Sequence, residues 1–303
     1  MHKKKIIVSS FYKFVYLRNP SDIKKKLLQN LRKLNIKGSF IVGKEGINAS
    51  FSVSAEQFEK VKNLVKDLIS SKIKFKNQFN DSHSFLRLKI KEKKEIISFG
   101  QENVYPEKLT GSFLDSDLWD KFISDPDSII IDTRNEYESD IGSFKNSIKT
   151  KTSNFREFPT WFEKNKKKLF AKKIGMFCTG GIRCEKATNF LIKKGFKKIF
   201  QLDGGIVEYL YKTRNKNKMW EGDCFVFDER VSLNEKLEKG KYFQCYACRS
   251  AITQIDLKSK YFKTGISCPK CFKKKSKKQK ARYEERQRQM QFSKQKGIKH
   301  LGS

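Results

Sequence analysis

The spacing of apolar residues changes along the chain, and each change marks a new element. From Ile6 to Leu17, β-branched and aromatic residues alternate with polar ones, the period of a half-buried strand. Behind Pro20 and Ser21 the period becomes helical, with Ile23, Leu27, Leu28, Leu31 and Leu34 on one face of DIKKKLLQNLRKLN. GSFIVGKEGINASFSV reads as a hairpin that turns at Lys44, Glu45 and Gly46. A second helix follows in SAEQFEKVKNLVKDLIS, with Ser54 placed to cap it and Phe58, Val61, Leu64, Val65 and Leu68 facing inward. Strand-like stretches around Ile73 and from Phe85 to Ile97 complete a β-α-β-β-α-β order, which predicts a split-βαβ sandwich over residues 1–97.

Residues 98–116 carry Gly100, Pro106 and Gly111 with little periodicity and read as a linker. Beyond them, SIIID is a short, fully apolar strand running into a charged loop, and KIGMF is a second such strand. The helix pattern of EKATNFLIKKG and a closing strand in KKIFQLDGG complete an alternation that predicts an α/β domain with a parallel sheet over residues 117–217. In such a sheet, sites form outside the carboxyl ends of the strands, where Asp132 and Cys178 stand. Residues 218–283 contain four spaced cysteines, and residues 284–303 read as a basic, flexible tail. The fold class expected is therefore multidomain, α+β followed by α/β, and the chain has no internal repeat.

Charge adds a partner to this picture. With 67 Lys and Arg against 33 Asp and Glu in 303 residues, the formal net charge is +34, which suits a polyanion such as nucleic acid. The preference for lysine over arginine is also what AT-rich codons produce without selection for binding. No apolar run approaches the roughly 20 residues that cross a bilayer, and the basic amino terminus lacks the features of a signal peptide. The seven cysteines are therefore expected in a reducing cytosol, where spaced pairs read first as metal or catalytic groups.

The most chemical stretch is FCTGGIRCEKA, residues 177–187. A loop Cys178-Thr179-Gly180-Gly181-Ile182-Arg183, entered from a strand and left by a helix, turns successive backbone amides toward the sulfur, with the glycines permitting positive φ and close approach. The helix amino terminus and Arg183 favour a thiolate on Cys178, against the alternative of a small buried hydrophobe. Cys184 reads either as a resolving thiol for Cys178 or as the first inward residue of the helix. Asp132 either orients the loop or caps its own turn, Arg134 is a candidate for the same ion-pair network that the sequence alone does not decide, and Cys224 reads as structural.

CTGGIR resembles the active loop of rhodanese domains, as IIIDTRNEYESDIGSFKNS and QLDGGI are similar to their strand-and-loop signature and closing Leu-x-Gly-Gly. The resemblance implies a persulfide on Cys178 cradled by the amides of Thr179 to Arg183; related phosphatases have a loop one residue longer, sized for phosphate. KEGINASFSV, RLKIKEKKEIISFG, FCTGGIRCEKA and WEGDCFVFDERV together resemble the rhodanese-domain tRNA uridine hydroxylases, the bacterial TrhO family, from about Phe11 to Cys271. Where such families read EGINGT, this chain reads EGINAS. The resemblance implies an acylphosphatase-like amino-terminal domain and hydroxylation at carbon 5 of the tRNA wobble uridine. It also implies molecular oxygen as co-substrate and Cys178 as catalytic cysteine, and leaves the electron donor open. The expected partner is the tRNA anticodon region, with no membrane and no stable protein partner. Rhodanese-like sulfur transfer and a non-catalytic tRNA- or ribosome-binding adaptor remain open beside it.

Cys245 and Cys248, then Cys268 and Cys271, form two C-x-x-C pairs nineteen residues apart, the spacing of a zinc-ribbon-like site. Disulfides or idle thiols are the alternatives; a structural zinc is favoured because four thiolates leave no ligand missing and the segment is too polar to fold on its own core. Between Lys273 and Arg282 seven basic residues form a patch for phosphates or a solvated tail. Tyr242, Phe243, Tyr246, Tyr261 and Phe262 either stack on unpaired bases or form the core of the small module.

Overall fold

The computed structural model describes residues 5–70, 72–170, 172–214 and 219–297. The chain divides into two compact units, Met1–Leu109 and Thr110–His300.

In the first unit, β1 (Ile6–Phe14), α1 (Pro20–Leu31), β2 (Lys37–Gly43), β3 (Gly46–Ser54), α2 (Ala55–Ile69), β4 (Lys76–Asn80) and β5 (Leu88–Glu92) follow one another. The sheet order is β4-β1-β3-β2-β5, with β3 antiparallel to both β1 and β2, β4 antiparallel to β1, and β5 added parallel to β2. The first four strands give the split-βαβ arrangement that the element order predicts. Alternation along β3 puts Ile47, Ala49, Phe51 and Val53 into the core against Leu27 and Leu31 of α1 and Val61 and Val65 of α2. Each fully buried large side chain contributes about 1.5–3 kcal/mol relative to exposure. The hairpin turns on Lys44 and Glu45 as expected; Gly46 has φ +136°, and a Cβ there would collide with the Lys13 carbonyl. Ala49 of the EGINAS stretch lies inside β3 with its methyl in the core, so no glycine turn is needed there.

Several local expectations are corrected. α1 stops at Leu31 rather than continuing to Asn35, although Leu34 still packs on the core. Ser54 occupies the cap position of α2 but its hydroxyl makes no capping hydrogen bond. The strand expected around Ile73 lies at Lys76–Asn80, and the long stretch from Phe85 to Ile97 contracts to Leu88–Glu92. Both are edge strands held by backbone pairing, and neither carries an apolar run that would show its limits.

The second unit begins with β6 (Ser112–Leu114), α3 (Ser116–Ser124), β7 (Ser128–Asp132), α4 (Glu136–Ser139), β8 (Gly142–Phe144) and β9 (Ile148–Lys149). It continues with α5 (Phe158–Leu169), β10 (Lys173–Phe177), α6 (Ile182–Lys193), β11 (Ile199–Leu202) and α7 (Gly205–Thr213). A parallel sheet in the order β6-β11-β10-β7-β9 runs through it. The segment read as a linker thus contains β6 and the first residue of α3, and the unit starts at Thr110; three residues pairing at an edge leave no periodic signal. Trp119, Phe144, Phe177, Tyr209 and Trp220 pack into one core on this sheet.

Trp220 comes from β12 (Trp220–Gly222), which pairs antiparallel with β8, so the α/β unit extends past the expected boundary at residue 217. β13 (Cys224–Phe225) pairs with β14 (Ser232–Leu233), and β15 (Phe243–Gln244) with β16 (Ala251–Ile252), followed by α8 (Gln254–Lys258) and α9 (Lys277–Gln295). Residues 284–295, expected to be flexible, belong to α9. Residues 298–303 of that tail lie outside the described residues. Among the described residues no helix is long and apolar enough to cross a membrane.

Candidate functional site

β10 is buried from Ile174 to Phe177 and pairs with parallel strands on both sides, so its carboxyl end is held rigidly where the chain turns into the cysteine loop. Cys178 is 1% exposed, beneath a loop whose Thr179, Gly180 and Ile182 are half-buried. Gly181 adopts φ +96° and starts α6; its amide donates to Cys178 Sγ at 3.1 Å. The far side of the loop is closed by α7, whose Ile206 and Val207 amides donate to the carbonyls of Cys178 and Thr179 at 3.0 and 3.2 Å. Only glycine fits at Gly205, where a Cβ would stand 2.6 Å from the Cys178 carbonyl oxygen and 2.8 Å from the Gly181 nitrogen. The closing QLDGGI motif therefore serves as the back wall of the cysteine loop.

Burial alone would push the Cys178 thiol up. Donation from Cys184, the charge of Arg183 and the backbone amides of Arg183 and Gly180 outweigh that cost and hold Cys178 well below the ordinary thiol range. Cys184 shifts the opposite way: burial and its donation to the Cys178 sulfur push it well above that range. The pair is thus a thiolate beside a thiol, with Thr133 Oγ1 3.7 Å from Cys184 Sγ. Cys224, fully buried, is pushed up to about 12 by burial, in keeping with a structural thiol.

Arg183 does not point its fork at the sulfur. Its Nη1 and Nη2 donate to Glu138 Oε1 and Oε2, both at 2.7 Å, and the pair is buried. Burial, which would lower the guanidinium, is outweighed by the Glu138 charge, and Arg183 is raised above its ordinary value. Its charge reaches Cys178 through space rather than through a hydrogen bond of its side chain. Glu138 in turn accepts the Asn135 amide at 3.1 Å. Asp132 and Arg134 form a second, fully buried pair: Nε to Oδ1 at 2.9 Å and Nη2 to Oδ2 at 2.6 Å. Ser143 donates to Asp132, and Arg134 also reaches the Gly142 carbonyl and lies over the Trp220 ring. These contacts pin the β7–β8 segment. Asp132 does not reach the loop but caps its own turn, its Oδ1 accepting the Arg134 amide at 3.0 Å; the link to the loop is made by Thr133, whose amide and hydroxyl both donate to the Phe177 carbonyl, and by Glu138. Sequence reading missed both as site residues. The signal for Glu138 was the glutamate of the strand-and-loop signature; Thr133 left none.

The four cysteines converge as their spacing requires. The Sγ atoms of Cys245, Cys248, Cys268 and Cys271 all lie within 4.8 Å of one another, with separations of 4.0 Å between Cys245 and Cys271 and 3.8 Å between Cys248 and Cys268. A tetrahedron of Zn–S bonds about 2.3 Å long has edges of about 3.8 Å, so the set fits zinc. The first knuckle turns through Arg249 at φ 67°, with the Cys245 amide donating to the Ser250 carbonyl at 3.0 Å. The second turns through a Cys271 amide donating to the Cys268 carbonyl, also at 3.0 Å. Of the five aromatics expected near it, Tyr242 and Phe262 pack into hydrophobic clusters and Tyr261 packs against Phe272, whereas Phe243 and Tyr246 are exposed. The basic run enters α9, where Lys280 lies over the Phe272 ring.

Residues 6–96 match the family model of the UPF0176 acylphosphatase like domain, and residues 115–212 match that of the Rhodanese-like domain. The chain is similar to solved structures of low identity. A rhodanese-related protein from Thermoplasma volcanium is 23% identical over 35% of this chain and 95% of that one, with a TM-score of 0.29. An As-Sb reductase from Leishmania major is 18% identical over 49% of this chain and 96% of that one, with a TM-score of 0.29. The rhodanese-like domain of an Anabaena protein is 18% identical over 36% of this chain and 77% of that one, with a TM-score of 0.30.

Proposed function

We propose that this chain is a tRNA-modifying enzyme that hydroxylates carbon 5 of the wobble uridine, with molecular oxygen as co-substrate and Cys178 as the catalytic sulfur. The observation that carries the chemistry is the buried Cys178 sulfur at the mouth of the glycine loop, which accepts the Gly181 amide at 3.1 Å; the Arg183 charge and the loop amides favour its anion. A rhodanese-like domain behind a UPF0176 acylphosphatase like domain, and a net charge of +34, support a modifying enzyme acting on RNA. The substrate comes from the resemblance of FCTGGIRCEKA and WEGDCFVFDERV to the uridine hydroxylases.

In this reading the loop amides and the Arg183 charge support negative charge on Cys178, whether as thiolate or persulfide, and Cys184 keeps a proton on its own sulfur beside it. Glu138 holds Arg183, and the Asp132–Arg134 pair holds the segment that carries Glu138. A zinc in the Cys245, Cys248, Cys268 and Cys271 set would cross-link the carboxyl-terminal segment. The chemistry it supplies is structural.

Sulfur transfer is the second reading, favoured by the rhodanese-like match and by the six-residue span from Cys178 to Arg183. Mass spectrometry of wobble uridines from a Cys178→Ser strain tests the first reading, because the cell supplies oxygen and the electron donor. Loss of 5-hydroxyuridine with tRNA binding retained is the expected result. Unchanged modification in a deletion strain refutes it, and thiocyanate formation by the purified protein would then support sulfur transfer. Function intact in the Cys178→Ser strain would leave the adaptor.

A further inference from the structure

α4 is four residues long, yet it touches both chemical centres of the second unit. On one side Glu138 grips Arg183 of the cysteine loop. On the other, Tyr137 meets the Phe225 ring edge-on at 5.3 Å and joins a cluster containing Val231 and Ala251. Ala251 belongs to β16, which closes the first cysteine knuckle. The knuckle is therefore packed against the support of the active loop.

Three exposed side chains, Phe227, Tyr246 and Arg249, stand on the segments that pack with or next to this cluster. Phe227, 56% exposed, meets Phe225 edge-on at 5.3 Å, continuing a ladder of rings from Tyr137 to the surface. Tyr246, 50% exposed between the first two cysteines, donates its hydroxyl to Glu229 at 3.1 Å, which ties the knuckle to the segment bearing Phe227. Arg249, directly after Cys248, is exposed and close enough for its charge to act on the Tyr137 hydroxyl, as does that of Arg183. The basic helix α9 docks on the same knuckle, with Arg286 Nη2 donating to the carbonyls of Gly265 and Tyr246 at 2.7 and 3.4 Å. Of the acidic groups in reach, Asp228 is paired with Arg230, Glu284 with Lys263 and Glu285 with Arg288, while Glu229 keeps its charge and accepts from the Tyr246 hydroxyl.

We propose that Phe227, Tyr246 and Arg249 form a rim on which single-stranded RNA lies as it approaches the Cys178 loop, the two rings taking bases and the guanidinium a phosphate. This rests on the RNA-modifying function proposed above. Two half-exposed rings and an exposed cation on neighbouring segments offer what an unpaired strand needs, since every base has a π face and every step a phosphate. The surrounding charge is complementary to that occupant. A rim carried by the cysteine knuckle also gives its metal a second consequence: it fixes Tyr246 and Arg249 in place.

The test is fluorescence anisotropy with the full-length, zinc-loaded chain and a labelled anticodon stem-loop that carries an unmodified wobble uridine. Phe227→Ala and Tyr246→Ala should each weaken binding about tenfold. Arg249→Gln should reduce the slope of log affinity against log salt by about 0.7, and Arg249→Lys should restore it. Zinc content and melting temperature report on folding, and Phe227→Ala, remote from the ligands, keeps the test valid if the knuckle variants are unstable. Wild-type protein that binds the stem-loop while the Phe227 and Arg249 variants bind it equally well overturns the rim alone. Wild-type protein that does not bind the stem-loop overturns the rim together with the function it rests on.

Discussion

Replacing Glu138 by Gln is the sharpest probe of how the site is held. The change keeps shape and removes one charge from a buried, bidentate pair whose side chains are 0% and 6% exposed and whose two bonds are both 2.7 Å long. Removing one partner of such a pair leaves the other charge uncompensated and costs about 3–5 kcal/mol. For a unit of this size each kcal/mol moves the melting point by about 2–4 °C, so Glu138→Gln should lower the transition of the second unit by about 6–20 °C. Reactivity should move the other way. With its carboxylate partner gone, the Arg183 charge falls more fully on Cys178, and the midpoint of the pH–alkylation profile of Cys178 should drop further. Calorimetry and pH-resolved iodoacetamide labelling, mapped to the Cys178 peptide, read the two effects separately. Replacing both partners with apolar residues, Glu138→Leu with Arg183→Met, should recover most of the stability while raising the midpoint. A melting point within 2 °C of wild type together with an unmoved profile would refute the assignment of Glu138 as the anchor of Arg183.

Wild-type Cys178 should label at a rate that has already levelled off near neutrality, whereas a free thiol titrates near about 8.5; Cys184→Ala should move the midpoint upward by removing a donor to the thiolate. Because the folded value lies below the unfolded one, ionisation of Cys178 stabilises the fold above the unfolded thiol's range, and that contribution is lost as pH falls through the folded value; Cys178→Ser should flatten this part of the stability–pH curve. Gly205→Ala places a methyl against main-chain atoms at 2.6 and 2.8 Å in a residue at φ +72°, and should abolish the low-pH labelling of Cys178 even where the protein still folds. Chelation, or Cys268→Ser, should expose the carboxyl-terminal segment to limited proteolysis while leaving the first unit resistant.

The parts of the fold that showed in the sequence are those where a local rule and the tertiary contacts agree. The hairpin at Gly46, the buried strand before Cys178 and the two cysteine knuckles each demand particular residues at fixed spacing, and the structure places them as read. What did not show depends on partners distant in sequence. Lys76–Asn80 and Ser112–Leu114 are strands because a neighbouring edge accepts them, not because their own side chains alternate strongly. Arg183 was read for its charge on the sulfur because the loop is local; the hydrogen-bond partner of its fork, Glu138, is 45 residues earlier and is brought in by parallel pairing of β7 with β10. Thr133 acts through the Phe177 carbonyl for the same reason. Trp220, beyond the stretch read as the α/β domain, packs with Trp119 about a hundred residues earlier, a contact that no local pattern shows.

The carbonyls of Cys178 and Thr179 are both claimed by the first turn of α7. A peptide plane fixed by its oxygen cannot swing its N–H away, so the loop behaves as a casting rather than a switch: its inner surface has one shape whether or not a guest is present. Preference for one guest over another is then written into main-chain length and into Gly205, and side-chain drift around the loop can proceed without redrawing it.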